Sequence, residues 1–429
     1  MLNPTYPPTS TLPLPATRRA AADPAPLQWP SGLPLKARRV LQLLDRLPHG
    51  RLRLTLPGGV VLLLGQCHGT APAADLSLHD WKVIDDVLAR GDVGLGEAYM
   101  DGDWSSTDLT ALLRHFLLNR QHVEALVYGR WWGRLADRLR HLLRRNSRAG
   151  SRRNIPAHYD LGNSFYRLWL DAGMSYSSAW FRDGAATSMA QAQEAKFRRA
   201  LDCAGVRPGD HVLEIGCGWG GLAELAARQY DARVTGITLS REQLAWATER
   251  LQPEIAAGRV QLRLQDYRDV HAPNAQRYDA IVSIEMFEAV GRAYWDGYFR
   301  VLARNLKADG RACIQSITIR DDLFDRYAAG TDFIQKHIFP GGMLPSDHQL
   351  TQHAEAAGLR VLERKAFGAD YARTLRLWRA SFEQQLDAIR DLGYDERFVR
   401  MWRFYLAYCE AGFEEGTIDV CQFTLAHAR

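Results

Sequence analysis

Val212-Leu-Glu-Ile-Gly-Cys-Gly-Trp-Gly-Gly-Leu222 is the stretch that decides the fold of this 429-residue chain. Its apolar start, Val212 to Ile215, predicts a short buried strand, and the glycines that follow predict a tight turn. The next residues, Leu222-Ala-Glu-Leu-Ala-Ala227, are good helix formers. Strand, turn and helix in this order open a βαβ unit, which predicts an α/β domain.

The turn contains three glycines whose missing Cβ atoms let a ligand approach the backbone, namely Gly216, Gly218 and Gly220. Their spacing differs from the dinucleotide fingerprint, and no Lys-Ser/Thr pair follows to form a phosphate loop. Glu214 precedes the first glycine, and its carboxylate suits the hydroxyls or the cation of S-adenosylmethionine better than a pyrophosphate. These features favour an S-adenosylmethionine-dependent methyltransferase over an ordinary tight turn.

Composition restricts the class and the compartment. Hydrophobic residues make up 46% and charged residues 24% of the chain, as in soluble globular proteins, and no apolar run approaches the length of a membrane span. The N-terminus lacks the pattern of a secretory signal. The six cysteines form no Cys-x-x-Cys pair, which argues against a metal site and a disulfide framework. We therefore expect a cytoplasmic protein without a metal.

The chain divides by composition into four predicted regions. Half of the prolines lie in the first region, which predicts a disordered arm, and the second region begins with a pattern typical of a β-hairpin, 51–56 paired with 60–64. Helical patterns follow in this second region at 81–89 and 109–118. The regions are the Pro-rich arm 1–35, a small α+β domain 36–128, a basic amphipathic linker helix 129–153, and the methyltransferase domain 154–429.

The linker region 129–153 carries the strongest charge asymmetry of the chain. Nine arginines stand against a single acid, Asp137, and tryptophans and leucines recur at helical spacing. Such a helix suits an anionic membrane surface. It also suits a solvated interdomain helix that packs on protein, because amphipathicity alone does not separate the two. Nucleic acid is not an expected partner, since no recognised binding motif is present.

Strands and helices alternate after residue 154, which predicts a doubly wound, mostly parallel sheet whose ligand lies beyond the carboxyl ends of the strands. The last strand follows a long helical stretch and could insert antiparallel. The predicted strands are His211–Ile215, Arg233–Leu239, Val260–Gln265, Tyr278–Ile284, Arg311–Ile317, Leu359–Ala366 and Asp419–Leu425.

Polar residues follow the second and third of these strands. Thr238 and Gln243 are the groups available to bind ribose hydroxyls, and Ser240 with Gln243 also predicts an N-terminal capping box. Asp266 and Tyr267 could bind the adenine amino group and cover its ring, or could simply form a strand-to-loop junction. The full set of predicted cofactor-binding residues is Tyr176, Ser177, Glu214, Gly216, Gly218, Gly220, Thr238, Leu239, Gln243, Asp266, Tyr267 and Arg268.

Several further blocks occur in a fixed order along the chain. They are His158-Tyr-Asp-Leu-Gly-Asn163, Met174-Ser-Tyr-Ser-Ser178, the glycine turn, Thr238-Leu-Ser240, Asp266-Tyr-Arg-Asp269, Met286-Phe-Glu288, Phe339-Pro-Gly-Gly-Met-Leu-Pro-Ser346 and Gly368-Ala-Asp-Tyr371. With these blocks the chain resembles the cyclopropane-fatty-acid synthase family of S-adenosylmethionine-dependent lipid methyltransferases, from about Tyr99 to the C-terminus.

The resemblance implies a substrate and a site. It implies methyl transfer to a cis double bond in an acyl chain of a membrane phospholipid, by an enzyme bound peripherally at the inner membrane face, with a homodimer as the expected state. The alkene attacks the methyl group, and a base then removes a proton from the resulting carbocation. The resemblance implies a bound bicarbonate as that base, at positions that correspond here to Ser178, Glu288, Gln315, Ile317 and Tyr371.

This chain departs from the family pattern at that site. Ser178 and Gln315 stand where family members commonly carry Cys and His, and Gly-Met-Phe-Glu-His becomes Glu285-Met-Phe-Glu-Ala289. Two carboxylates three residues apart cannot both ionise cheaply, so one has a raised pKa. We hypothesise that Glu285 supplies the base, with a cyclopropane, methyl-branched or methylene product set by its reach; alternatively, Glu285 faces solvent and bicarbonate still binds.

Other residues of these blocks have two interpretations. Tyr176, Phe287 and Tyr371 could stabilise a carbocation through their π faces or could belong to the core. Cys409 matches a cysteine often labelled catalytic in the family, but alkene attack needs no thiol, which favours a buried structural cysteine. The resemblance makes the insertion 320–347 a lid over an acyl-chain tunnel, with a packing excursion as the alternative. Two rival functions stay open: methylation of a soluble acceptor, or a catalytically silent lipid-binding protein.

Overall fold

A computed structural model describes residues 29–66, 74–127, 161–182, 187–271 and 277–428. Most of the predicted N-terminal arm, the whole basic segment 129–153 and the first residues of the His158 block lie outside the described residues. Among the described helices, none has the length and hydropathy needed to cross a membrane.

The described chain contains eleven strands and seventeen α-helices. The strands are β1 (Leu52–Thr55), β2 (Val61–Leu64), β3 (Ala74–Leu78), β4 (Trp104–Ser105), β5 (His211–Ile215), β6 (Arg233–Thr238), β7 (Val260–Leu264), β8 (Tyr278–Ile284), β9 (Leu306–Ile319), β10 (Leu359–Ala366) and β11 (Ile418–His427). The helices are α1 (Leu35–Leu44), α2 (Lys82–Arg90), α3 (Asp92–Met100), α4 (Leu109–Leu118), α5 (Arg120–Val127), α6 (Asn163–Arg167), α7 (Met189–Cys203), α8 (Gly221–Gln229), α9 (Arg241–Arg250), α10 (Gln252–Ala256), α11 (Trp295–Asn305), α12 (Asp321–Ala328), α13 (Phe333–His337), α14 (Asp347–Ala356), α15 (Gly368–Gln384), α16 (Leu386–Asp391) and α17 (Glu396–Glu414).

The larger sheet has seven strands in the order β10-β11-β9-β8-β5-β6-β7. Strands β5 to β9 pair in parallel, and β11 inserts antiparallel between β9 and β10. The predicted doubly wound sheet with an antiparallel last strand is confirmed. Strand β9 is longer than predicted, because its first residues, which include Asp309 and Gly310, do not read as an apolar strand.

The glycine turn joins β5 to α8 with backbone conformations that other residues rarely adopt. Gly216 and Gly220 both have φ of +85°. A Cβ atom on Gly216 would lie 2.9 Å from Met286 Cγ, and one on Gly220 would lie 3.0 Å from Leu251 Cδ1. Because β6 and β8 both pair in parallel with β5, the carboxyl ends of the three strands meet at one edge of the sheet, where a ligand is expected.

The N-terminal region forms a second, four-stranded sheet in the order β2-β1-β3-β4. The predicted hairpin is confirmed, with Leu52 opposite Leu64, and the two predicted helices correspond to α2 and α4. The pattern did not predict α3, since glycines weaken a helical signal. Its Gly96 is needed for packing, because a Cβ atom there would lie 2.3 Å from the Phe333 ring.

Helix α17 joins the N-terminal sheet to the methyltransferase domain. The Phe404 ring lies 5.9 Å from Tyr99, 6.4 Å from Trp104 and 4.6 Å from Phe333, measured between centroids. Thr110 Oγ1 donates to the buried carboxylate of Glu410 at 3.2 Å. The predicted domain boundaries stay a prediction, but the two regions share one hydrophobic core.

We expect Phe404→Ala to lower the free energy of unfolding by about 3–5 kcal/mol, because Phe404 is completely buried between the two regions. Leu377→Ala, on the 41% exposed Leu377 of α15, should change it by less than about 0.5 kcal/mol. Urea unfolding followed by circular dichroism measures both. Equal effects of the two substitutions would contradict a shared core.

Candidate active site

Glu285 follows β8 directly and has a backbone conformation that favours glycine. Its φ is +50°, in the left-handed region, which costs a residue with a side chain roughly 1–2 kcal/mol. The backbone N–H of Glu285 donates to the carbonyl of Gln315 on β9 at 2.8 Å. This position is one where the chain carries Glu although the backbone favours Gly, and the left-handed turn directs the carboxylate into the interior of the domain.

Three groups from three different segments donate hydrogen bonds to the Glu285 carboxylate. Ser178 N–H donates to Oε1 at 2.8 Å, and Gln315 Nε2 donates to the same oxygen at 2.7 Å. Tyr371 O–H on α15 donates to Oε2 at 2.7 Å. The Ser178 hydroxyl itself donates to the carbonyl of Ala179, so only the backbone of Ser178 contacts the carboxylate.

Glu288 lies on the 3₁₀ turn Phe287–Ala289 and completes the same cluster. Its Oε1 accepts from Ile317 N–H at 2.5 Å, whereas Oε2 is buried without a hydrogen-bond partner among the described residues. Burial and the charge of Glu285 raise the pKa of Glu288 to about 8. Burial also raises the pKa of Glu285 above its ordinary value, although Lys196 and the three donors limit this rise. Glu285, with its donors and the nearby cation, is therefore the better placed of the two to carry a negative charge, and Glu288 the better placed to hold a proton.

Lys196 is a buried cation that the sequence interpretation missed. It lies on α7, fully buried, and its Nζ donates to Ser177 Oγ at 2.5 Å. Burial lowers its pKa to about 8, while Glu285 opposes this shift. A helical count could have found it, since Ala192 and Ala200, four residues to either side, are also buried.

The aromatic residues of the predicted site separate into two groups. Tyr371 contacts the Glu285 carboxylate, and Tyr176 exchanges a 2.8 Å hydrogen bond with Tyr405 between their hydroxyls. Phe287 is instead completely buried and stacks on Trp295 at 5.5 Å in a separate part of the core. The surroundings of Phe287 therefore favour packing over carbocation stabilisation.

Cys409 lies on α17 in apolar surroundings. Burial raises the pKa of its thiol above the ordinary value, which disfavours the thiolate that nucleophilic chemistry needs. This supports the structural interpretation of Cys409.

Glu214, at the carboxyl end of β5, suits a cationic or hydroxyl-bearing ligand. It is 3% exposed, and its Oε2 has no hydrogen-bond partner among the described residues. Burial raises its pKa to about 8. A buried carboxylate oxygen without a donor is costly, so this position fits the hydroxyls or ammonium group of S-adenosylmethionine.

The predicted capping box after β6 forms only in part. Ser240 is the N-cap of α9, and its side chain accepts from Gln243 N–H at 3.2 Å. The side chain of Gln243 does not return to Ser240, however, because Thr238 Oγ1 donates to Gln243 Oε1 at 3.0 Å and accepts from Ser240 N–H. The prediction of a reciprocal box was wrong. Thr238, Leu239 and Gln243 remain cofactor-binding predictions.

The polar group after β7 is already paired within the chain. Asp266 accepts from the backbone N–H of Arg268 at 3.0 Å and from its guanidinium at 2.6 and 2.8 Å. The Tyr267 ring packs edge-on against Tyr298 at 5.4 Å. Adenine binding by Asp266, Tyr267 and Arg268 stays a prediction, and these contacts account for the junction without a ligand.

The insertion 320–347 contacts two different parts of the molecule. Phe333 and Ile338 are buried, and Phe333 packs on Phe404. Phe339 lies 6.4 Å from Tyr176 and 6.2 Å from Tyr405, between ring centroids. The first part of the insertion is therefore packing, and only its end approaches the aromatic residues near Glu285.

Known proteins resemble this chain over the region that carries the site. The family model for mycolic acid cyclopropane synthetase matches residues 146–423. The chain belongs to this family. A tuberculostearic acid methyltransferase of Mycobacterium tuberculosis is 42% identical over 354 residues, which cover 79% of this chain and 81% of the relative. A cyclopropane-fatty-acyl-phospholipid synthase of Escherichia coli K12 is 37% identical over 357 residues, 83% of this chain and 88% of the relative.

A solved structure agrees with these relatives. A mycolic acid cyclopropane synthase complexed with SAH and CTAB has a TM-score of 0.59 and 33% identity, covering 64% of this chain and 97% of that one. The resemblance inferred from the ordered motifs is thus confirmed. The protein is an S-adenosylmethionine-dependent methyltransferase of the family that modifies lipid acyl chains by cyclopropanation or methylation.

We expect Glu214→Gln to weaken S-adenosylmethionine binding by at least about tenfold, since a charge-assisted hydrogen bond contributes about 1.5–3 kcal/mol. Glu249→Gln, an exposed position on α9, is the matched control and should bind normally. Isothermal titration calorimetry measures both dissociation constants. Unchanged binding by the Glu214 variant would exclude this carboxylate from the cofactor site.

The raised pKa of Glu288 predicts a pH-dependent stability. Between its ordinary value of 4.5 and about 8, the folded state holds a proton that the unfolded state has lost, so stability falls as pH rises. Glu288→Gln mimics the protonated acid and should lose this dependence. The free energy of unfolding of wild type relative to the variant should fall by up to about 1.4 kcal/mol per pH unit from pH 5 to 8. Parallel pH profiles from urea unfolding would contradict this.

Proposed function

We propose that this enzyme transfers a methyl group from S-adenosylmethionine to a double bond of an unsaturated acyl chain in membrane phospholipid, with the Glu285 side chain as the proton acceptor. The observation that carries the proposal is the half-buried Glu285 carboxylate, held by Ser178, Gln315 and Tyr371. The product is a cyclopropane or a methylated acyl chain, according to which proton the carboxylate removes.

The chemistry requires a base but no nucleophile from the protein. S-adenosylmethionine supplies an electrophilic methyl group when bound, and the acyl double bond supplies the electron pair for the new C–C bond. A carbocation forms on the chain. When Glu285 takes a proton from the new methyl group, the C–H electrons close a cyclopropane ring. When it takes a proton from a neighbouring chain carbon, those electrons form a new double bond in a methylated chain.

A bound bicarbonate does not fit this site alongside Glu285. The backbone N–H of Ser178, the amide of Gln315 and the hydroxyl of Tyr371 all donate to the carboxylate already. The remaining family position, Ile317 N–H, donates to Glu288. These contacts support Glu285 as the group that takes over the role of the ion, and they argue against the alternative in which Glu285 faces solvent.

The location of the enzyme forms part of the proposal. A peripheral site on an anionic inner membrane surface, in the cytoplasm, suits a phospholipid substrate and a net charge of +5. The arginine-rich segment 129–153, which lies outside the described residues, would supply the contact, and the N-terminal region would hold the enzyme at the bilayer or pair two subunits.

The decisive experiment is an assay with labelled S-adenosylmethionine and phospholipid vesicles in bicarbonate-free buffer. Wild type should convert monounsaturated chains and should gain little from added bicarbonate. Glu285→Gln should be at least about 100-fold slower under both conditions, as expected on removal of a general base. Glu285→Gly should be similarly slow without bicarbonate and should recover in part when bicarbonate is added. Mass spectrometry of the released fatty acids identifies the product.

The Glu285→Gly variant is a well-matched test, because glycine suits a φ of +50° and should preserve the fold. Full activity of this variant without bicarbonate would exclude Glu285 as the base. Activity on soluble acceptors without vesicles would favour the soluble-acceptor function, and cofactor binding without methylated lipid would favour the silent lipid-binding protein. Saturated phospholipid vesicles are the substrate control.

A further inference from the structure

A chain of hydrogen bonds through Gln315, Gln422 and Arg199 connects Glu285 to the surface. Gln315 Nε2 donates to Glu285 Oε1 at 2.7 Å, and Gln422 Nε2 donates to Gln315 Oε1 at 2.9 Å. Arg199 donates through one nitrogen to Gln422 Oε1 at 2.7 Å and through another to Glu363 at 2.5 Å. The two glutamines are at most 1% exposed, the Arg199 side chain is 11% exposed and Glu363 is 54% exposed.

The two ends of this chain determine which way each amide points. A guanidinium group only donates, so Gln422 must turn its oxygen toward Arg199. Its nitrogen then faces Gln315 Oε1, and it also donates to the backbone carbonyl of Lys196 at 3.2 Å. Gln315 must therefore present its nitrogen to Glu285. This sequence of donors and acceptors requires Glu285 Oε1, the oxygen that Gln315 contacts, to be a hydrogen-bond acceptor.

The chain also makes the two oxygens of Glu285 unequal. Oε1 accepts two hydrogen bonds, from Ser178 N–H and Gln315, whereas Oε2 accepts one, from Tyr371. A proton arriving at Oε1 would face two donors that cannot turn away. Oε2 therefore retains the more available lone pair.

We propose that Arg199 and Gln422 are positioning residues that fix Gln315 as a donor, so that Glu285 stays unprotonated on Oε1 and accepts the proton on Oε2. This rests on the proposed role of Glu285 as the base. Neither Arg199 nor Gln422 touches the reacting atoms, since both act through Gln315. The other charged or titratable groups that face Glu285 are Lys196 on α7, Glu288 on the 3₁₀ turn and Tyr371 on α15.

Gln422→Glu reverses the order with a nearly isosteric change, although it also removes the hydrogen bond to the Lys196 carbonyl. A carboxylate at this position keeps Arg199 but can only accept, so Gln315 must turn its nitrogen away from Glu285 and toward residue 422. The Gln315 oxygen then faces Glu285 Oε1, and the pair is stable only with a proton between them. We expect kcat at pH 7 to fall at least about tenfold and to recover at higher pH, with the acid limb of the kcat profile displaced upward by about one pH unit or more. KM for both substrates should stay within about twofold.

Controls separate positioning from damage to the fold. Gln352→Glu adds the same charge at an exposed position on α14 and should keep the wild-type pH profile. Arg199→Met removes the fixed donor and should displace the acid limb in the same direction by a smaller amount, and Arg199→Lys should restore it because lysine also only donates. The melting temperature and the S-adenosylmethionine affinity of each variant report on folding.

The outcomes distinguish this inference from the proposed function. If Glu285→Gln is inactive but Gln422→Glu and Arg199→Met keep the wild-type pH profile, Glu285 remains the base and the positioning role is wrong. If Glu285→Gln is fully active, the proposed function fails first. A loss of activity in Gln422→Glu that is the same at every pH would also overturn the positioning role. Should Gln422→Glu fail to fold, Arg199→Met alone decides.

Discussion

The half-buried Glu285 carboxylate, with the polar groups that bind it, is the feature on which the rest of this site depends. The Glu285 carboxylate exchanges part of its hydration for three donors from separate segments, Ser178, Gln315 and Tyr371. Hydrogen bonds to a charged group contribute about 1.5–3 kcal/mol each, which exceeds the roughly 1–2 kcal/mol cost of the left-handed backbone at Glu285. The strain is therefore maintained by the contacts that the carboxylate makes.

The neighbouring groups adjust to this charge. Glu288, next to it, has a pKa raised to about 8, and Lys196 has a pKa lowered to about 8. Burial disfavours the charged form of both Glu288 and Lys196. The negative charge of Glu285 partly stabilises the Lys196 ammonium group. Lys196 Nζ also donates to Ser177 Oγ, which replaces part of the hydration that burial removes from the ammonium group.

The sequence predicted the elements that local pattern determines. Strands β5 and β8 are built around short apolar runs, and the glycine turn has a shape that only glycines allow, so these elements were predicted. The closeness of the Glu285 and Glu288 carboxylates was also predicted, because the two residues are three apart in the sequence. Lys196, Gln422 and Arg199 were not predicted, because each contacts the site across at least 19 residues of chain, and Gln422 meets Gln315 across 107. A polar residue within an apolar strand or helix face, such as Gln422 on β11, is the one local signal of such a contact.

A carbocation changes what is required of the base. A proton next to a cationic carbon is strongly acidic, so a carboxylate is a sufficient base and one of higher pKa would add little to the rate. Position then decides the outcome, since the carbon nearest to the carboxylate loses the proton and that choice distinguishes a ring from a new double bond. A carboxylate tethered to the end of β8 cannot leave with the product or shift with the chain. The hydrogen bonds from Gln315 and Tyr371 limit it further to one orientation. In the proposed mechanism, the placement of the acyl chain relative to Glu285 Oε2 is then the variable that determines the product.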